Sequence, residues 1–275
     1  ARDAIEAARL SGEIIVEFFE SDDGREEEAV YLPAFHYCEV NSAINLRNLI
    51  NAPYNNQYVD SDKTLPWLER EMGITFAPAQ REAVAAAVNS KVMVITGGPG
   101  TGKTTIIRAV LRMREEGGLR VMLAAPTGRA AKRMTEATGH EAKTLHRLLE
   151  FSGGLESGLF GSGTEYSGFM RNESNPLECD LLIVDEASMI DQVLLHHLLR
   201  AVPPSASLIF VGDVNQLPSV SPGNVLKDLI ESEICPVVML KEIFRQGRES
   251  SIIINAHRIN DGLMPVLPEQ GSREI

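Results

Sequence analysis

Gly97-Gly98-Pro99-Gly100-Thr101-Gly102-Lys103-Thr104 decides how the rest of this 275-residue chain is read. A glycine, four residues and then Gly-Lys-Thr is the spacing of a P-loop, where backbone N–H groups and a helix N-terminus converge on one anionic point. The flanks agree with it. Val92-Met93-Val94-Ile95 reads as a buried strand, and the stretch from Thr104 to about Arg114 reads as a helix. With strand, lysine and hydroxyl all present, an ordinary glycine-rich turn is set aside. Residues Gly97, Gly98, Pro99, Gly100, Thr101, Gly102, Lys103, Thr104 and Thr105 are therefore expected to hold a nucleoside triphosphate. Lys103 would bridge its β- and γ-phosphates, and the Thr104 hydroxyl would ligate magnesium.

Working outward, strands alternate with helices from Leu65 onward. Apolar runs at Val92–Thr96, Arg120–Ala125, Leu181–Asp185, Leu208–Gly212 and Val237–Leu240 predict an α/β fold, a parallel sheet with helices on both faces. Ligands of such sheets bind at the carboxyl ends of the strands. Upstream, residues 1–10 read as a helix, Ile14–Phe19 and Glu28–Leu32 as two strands around an acidic turn, and Ala34–Ile50 as a helix. Asn51–Lys63 has turn composition and reads as a linker.

A length of 275 residues and 44% apolar content allow one large domain or two smaller ones. No run of eighteen apolar residues and no signal-peptide pattern is present, so a soluble, cytoplasmic protein without membrane contact is expected. Cys38, Cys179 and Cys235 are far apart, which argues against structural zinc and suits a reducing compartment. The opening Ala1 suggests a trimmed segment. The net charge of −12 conceals a division. Residues 1–60 hold 12 acids and 4 bases, whereas Lys103–Arg147 holds 10 bases and 4 acids. A basic segment beside the nucleotide site is compatible with nucleic acid.

Three further motifs follow strand ends. Asp185-Glu186 comes after Leu181-Leu182-Ile183-Val184; Asp185 is assigned to the magnesium ion and Glu186 to the attacking water. Gln216, in Gly212-Asp213-Val214-Asn215-Gln216-Leu217-Pro218, is either a sensor of the γ-phosphate or a polar residue in a turn stiffened by Pro218. Arg245, in Leu240-Lys241-Glu242-Ile243-Phe244-Arg245-Gln246, is either an arginine finger on the transferring phosphoryl group or a surface arginine. Arg129, Lys132 and Arg133 share one helix face, with Ala130, Ala131 and Met134 toward the sheet. His196 and His197 read as polar helix positions. Phe151–Glu178, Gly- and Ser-rich with Phe160, Tyr166 and Phe169, reads as a surface loop or hairpin.

In order, Gly97–Thr104, Ala125–Ala131, Asp185–Ser188, Gly212–Val220 and Leu240–Gln246 resemble motifs I, Ia, II, III and IV of superfamily 1 helicases. The phrases Thr96–Thr105, Thr144-Leu145-His146-Arg147-Leu148-Leu149 and Phe244-Arg245-Gln246 are most similar to the RecD-like DNA helicases. These include the alpha subunit of exodeoxyribonuclease V and its stand-alone relatives. The resemblance covers about Leu65 to Pro265, and more weakly Val30-Tyr31-Leu32-Pro33. It implies ATP and Mg2+ as cofactors, and 5′-to-3′ movement on single-stranded DNA with unwinding at duplex junctions. It also implies a place in DNA recombination and repair, with RecB- and RecC-like subunits as possible partners. Gln80 falls where the family reads adenine; Thr127, Gly128 and Arg129 fall where it touches the DNA backbone, with Lys132 and Arg133 adjoining, and His146 lies in a phrase that touches DNA or couples it to the ATP site.

Family motors carry two RecA-like domains, and nothing after Pro265 resembles the motifs of the second. The expected division is an acidic α+β region over 1–63, a RecA-like motor domain over 64–240 and the start of a second over 241–275. Such a chain is expected to bind ATP weakly and not to translocate. A P-loop regulatory or partner-binding module without translocation is the rival reading.

Overall fold

The computed structural model describes residues 2–21, 23–53, 59–152, 168–242 and 250–266. The amino-terminal part is a helix, α1 (Arg2–Ser11), an antiparallel pair, β1 (Ile15–Glu20) and β2 (Glu26–Tyr31), and a long helix, α2 (Pro33–Asn51). Pro33 sits at the start of α2, where its missing N–H costs nothing. Helix α3 (Ser61–Met72) begins inside the segment read as a linker. Asp60 provides the local cause, because its carboxylate accepts the Lys63 backbone N–H at 3.4 Å and nucleates the first turn.

The remainder is built on α4 (Pro78–Asn89), β3 (Val92–Gly97), α5 (Lys103–Glu116), β4 (Val121–Ala125), α6 (Gly128–Thr138), β5 (Ala142–Thr144) and α7 (Leu145–Leu148). After them come β6 (Leu181–Val184), a 3-10 turn at Ala187–Met189, α8 (Gln192–Ala201), β7 (Ser207–Gly212), α9 (Val225–Glu231), β8 (Val237–Leu240) and α10 (Ser251–Asn260). The strands form a six-stranded parallel sheet in the order β5-β4-β6-β7-β3-β8. The five apolar runs are all in it, within a residue or two of their expected ends. The three-residue β5 is an addition, too short for periodicity to reveal.

Parallel strands buried on both faces read as unbroken apolar runs, and the side chains then alternate between two cores. Val92, Val94, Leu182, Val184, Leu208 and Phe210 face a layer made by α2, α7, α8 and α9. Met93, Ile95, Leu181, Ile183, Ile209 and Val211 face α3, α4, α5 and α6. Each fully buried side chain of this kind stabilises the fold by about 1.5–3 kcal/mol. Helix α2 belongs to the first layer through Leu46 and Leu49, and the Gln192 amide of α8 donates to Ser42 Oγ at 3.2 Å.

His196 and His197 correct an expectation. They are 3% and 9% exposed, not surface polar residues, because α8 is covered by α2 on the side away from the sheet. The Tyr37 ring lies edge-on 5.6 Å from His196, and Phe169 lies 4.5 Å from His197. Burial pushes both imidazoles down to about 4, leaving them neutral at pH 7. Phe160 and Tyr166 lie outside the described residues; Phe169 packs against His197, Phe151 and His146 rings.

Candidate functional site: a cleft at the carboxyl edge of the sheet

The P-loop spans the end of β3 and the start of α5, and its glycines are required for different reasons. Gly100 and Gly102 have φ of 76° and 87°, a left-handed conformation that side chains resist. Gly98 has no such φ; there a Cβ would lie 2.7 Å from the His257 ring carbon Cε1. His257 comes from α10, and its Nε2 also stands 3.3 Å from the Pro99 carbonyl oxygen. Helix α10 therefore packs against the loop and, through Ile253, borders the cleft, and no motif had singled it out. Inside the loop, Thr101 is buried and its hydroxyl donates to the Gly98 carbonyl at 2.8 Å. The Lys103 ammonium donates to the carbonyls of Gly97 and Gly98 at 2.5 and 3.1 Å.

One cleft of about 790 Å³ gathers Gln80, the loop residues Gly98–Thr105, Asp185, Glu186 and Gln216, with Ile74, Thr75 and Ile253 at its walls. Gln80 is 4% exposed. Its amide oxygen accepts the Ala77 N–H at 3.2 Å and its amide nitrogen donates to the Thr101 carbonyl at 3.3 Å. An amide offers two donors and two lone pairs, so one of each is left for a ligand. The Glu69 carboxylate fixes the same corner, accepting the Phe76 N–H at 2.8 Å and pairing with Arg81 at 2.7 Å.

Asp185 and Glu186 stand at the tip of β6. Burial raises the Asp185 carboxyl to about 6, the Glu186 charge adds to this, and the Glu186 backbone N–H, Lys103 and Arg133 oppose it. Glu186 has φ 53° and ψ 41°, left-handed backbone for a residue with a Cβ. Strain of this kind costs of order 1–3 kcal/mol and persists where surroundings impose it. Here the 3-10 turn imposes it, and the buried Glu186 Oε2 has no hydrogen-bond partner. A desolvated carboxyl beside an orphaned carboxylate oxygen fits a site completed by a divalent cation and ordered water. Among the described residues no three His, Cys, Asp or Glu side chains form a metal cage. Magnesium in such a place takes one or two protein ligands and completes its shell with phosphate and water. Thr104, exposed to the cleft, and Asp185 are the protein ligands that fit.

Gln216 follows β7 and opens into the cleft. The buried Thr96 hydroxyl of β3 holds this turn by accepting the Val214 N–H at 3.2 Å, so the loops after β3 and β7 are tied together. Arg245 lies outside the described residues.

Helix α6 carries the basic residues. Thr127 caps it, its hydroxyl oxygen accepting the Ala130 N–H at 3.2 Å. Gly128, Arg129, Lys132 and Arg133 are exposed while Ala131 and Met134 are buried, as the periodicity implied; Ala130, expected to face the sheet with them, is half-buried and lines the cleft. Only Arg133 of the basic three lines this cleft. Lys132 lies 3.9 Å from Glu136, both side chains exposed, a pair of little energetic consequence. His146 is exposed at the start of α7, packed edge-on against Phe151 at 5.6 Å. No described helix is long and apolar enough to cross a membrane.

Comparison with known proteins gives a family match and several relatives. A family profile described as "AAA domain" matches residues 80–222. An ATP-dependent RecD2 DNA helicase from Deinococcus radiodurans is 36% identical over 99% of this chain and 37% of its own length. A RecBCD enzyme subunit RecD from Mycolicibacterium smegmatis is 36% identical over 72% of this chain and 38% of its own. The chain thus spans little more than a third of these relatives. A Pif1 helicase crystal structure from Candida albicans matches with a TM-score of 0.47 and 24% identity, over 70% of this chain and 45% of that one.

Proposed function

The chain belongs to the AAA domain family, and from that premise we propose that it is a RecD-like member of the superfamily 1 DNA helicases and the nucleotide-binding part of an ATP-driven, 5′-to-3′ DNA motor. What supports the reading most is the single cleft that holds Gln80, the P-loop, Asp185, Glu186 and Gln216 together. Those residues come from four separate stretches of sequence.

In this mechanism the Lys103 ammonium leaves the carbonyls of Gly97 and Gly98 for the β- and γ-phosphate oxygens. The loop N–H groups and the start of α5 hold the remaining phosphate charge. Gln80 uses its spare donor and lone pair on the adenine edge. Magnesium held by Thr104 and Asp185 would supply charge neutralisation on the phosphates. Glu186 takes a proton from the attacking water, its unpaired oxygen being free for that bond, and Gln216 orients the same water. Arg245 serves as the arginine finger. Thr127, Gly128, Arg129, Lys132 and His146 form the surface for single-stranded DNA, at the strand ends that also carry the nucleotide loops.

Residues 64–240 are the first motor domain in this proposal, 1–63 an acidic region docked on it, and 241–275 the approach to a second motor domain. Duplex junctions are the substrate of the whole protein, and the similarity to RecBCD enzyme subunits supports RecB- and RecC-like partners. Calorimetry with a non-hydrolysable ATP analogue and Mg2+ tests the core of the proposal. Lys103→Ala is expected to lower affinity at least about a hundredfold with an unchanged melting temperature. Retained affinity in that variant contradicts the phosphate assignment.

A further inference from the structure

Arg133 has no place in the mechanism above, yet it faces the same cleft. On α6, Ala130, Arg133, Met134 and Ala137 recur at i, i+3, i+4 and i+7, and all four line the cavity that holds Lys103, Asp185 and Gln216. The two other bases of the helix do not line it: Lys132 stands beside Glu136, and Arg129 lies outside the lining. Among the described residues the Arg133 guanidinium has neither a hydrogen-bond nor an ion-pair partner. Arg133 thus shares its cleft with Lys103, Asp185 and Gln216, the residues assigned to the metal and the terminal phosphate. A planar fork of donors with no protein partner is matched to phosphate oxygens in bidentate fashion.

We propose that Arg133 is a phosphate-contacting residue of the nucleotide site, gripping the terminal phosphate of the triphosphate from the α6 side, and not a member of the DNA surface. This rests on the triphosphate reading of the cleft. It also gives α6 two jobs on one rigid body. Thr127, Gly128 and Arg129 at its start meet the nucleic acid, while one turn later Arg133 meets the phosphate. Loss of the terminal phosphate then releases a charge from the same helix that carries the DNA contacts.

The test compares Arg133→Ala and Arg133→Lys with the unaltered chain, using Mg2+ with a non-hydrolysable ATP analogue, Mg2+ with ADP, and a single-stranded oligothymidylate. Arg133 is exposed, so both variants are expected to melt with the unaltered chain. Arg133→Ala is expected to weaken the ATP analogue about ten- to a hundredfold, ADP less than about threefold and the oligonucleotide not at all. Arg133→Lys, which keeps charge but loses the fork, is expected to fall between. Unchanged affinity for the analogue, equal losses for analogue and ADP, or a loss confined to the oligonucleotide would each overturn the inference. Failure of the unaltered chain to bind any nucleotide would overturn the triphosphate reading itself, and this inference with it.

Discussion

The two faces of the six-stranded sheet are both packed with apolar side chains, but they end differently at the carboxyl edge. On the face covered by α3, α4, α5 and α6 the packing stops short and leaves the cleft, with Asp185, Glu186 and Lys103 at its rim. No residue of α2, α7, α8 or α9, which cover the other face, lines this cleft, and on that side even His196 and His197 are enclosed. One face therefore keeps polar groups poised for a ligand while the other uses its polar groups as filling. Stability and chemistry should respond separately to changes on the two sides.

The largest separation is expected between Phe210, fully buried under α8 and α9, and the cleft residues. Phe210→Ala is expected to cost about 3–5 kcal/mol in chemical denaturation, while any protein still folded binds nucleotide normally. A large loss of nucleotide affinity in the folded fraction would show that the two faces are not independent.

Acid should divide the faces by sign. His196 and His197 titrate near 6.5 when unfolded and near 4 when folded, so the unfolded chain binds more protons in between. Their contribution is complete above about pH 6.5 and is lost as pH falls toward 4. Asp185 works oppositely: raised from 3.8 to about 6, it favours the folded chain when protonated and withdraws that support as pH rises through the same range. Melting curves from pH 7 to 4 are expected to show net destabilisation by acid, since two groups outweigh one. His197→Gln should flatten the loss, and Asp185→Asn should stabilise the metal-free chain at pH 7 by an amount on the order of 1–2 kcal/mol. Stability that rises steadily on acidification would contradict the burial of the histidines.

A smaller effect concerns the loop and its outer neighbour. Gly98→Ala places a methyl against the His257 ring, which sits at the end of a movable side chain. A destabilisation of about 1 kcal/mol is expected, and adding His257→Ala should recover most of it. No recovery in the double variant would mean that Gly98 is needed for another reason. Smallest of all, Phe18→Ser on β1, a side chain already 65% exposed, is expected to change stability by no more than about 0.5 kcal/mol.

Much of this arrangement was legible in the chain itself. Unbroken apolar runs such as Val92–Ile95 are what a strand buried on both faces requires, and residues after β3, β6 and β7 meet in one cleft at the carboxyl ends of a parallel sheet. Other features carried no such pattern. His196 and His197 look polar by composition, and it is the docking of α2 and of Phe169 on α8 that covers them. Arg129, Lys132 and Arg133 share a helical face by spacing, but spacing does not say which wall that face borders. The start of α3 at Ser61 was hidden by turn-like neighbours, although Asp60 carried the capping signal. His257 is 159 residues from Gly98 in sequence, and proximity of that kind leaves no local trace.

Hydrogen exchange of the backbone N–H groups from Gly98 to Lys103, with and without Mg2+ and a non-hydrolysable ATP analogue, tests the central claim most directly. Slowed exchange across this loop in the unaltered chain, abolished by Lys103→Ala, is the expected result. Identical exchange in the presence and absence of saturating nucleotide would contradict the account.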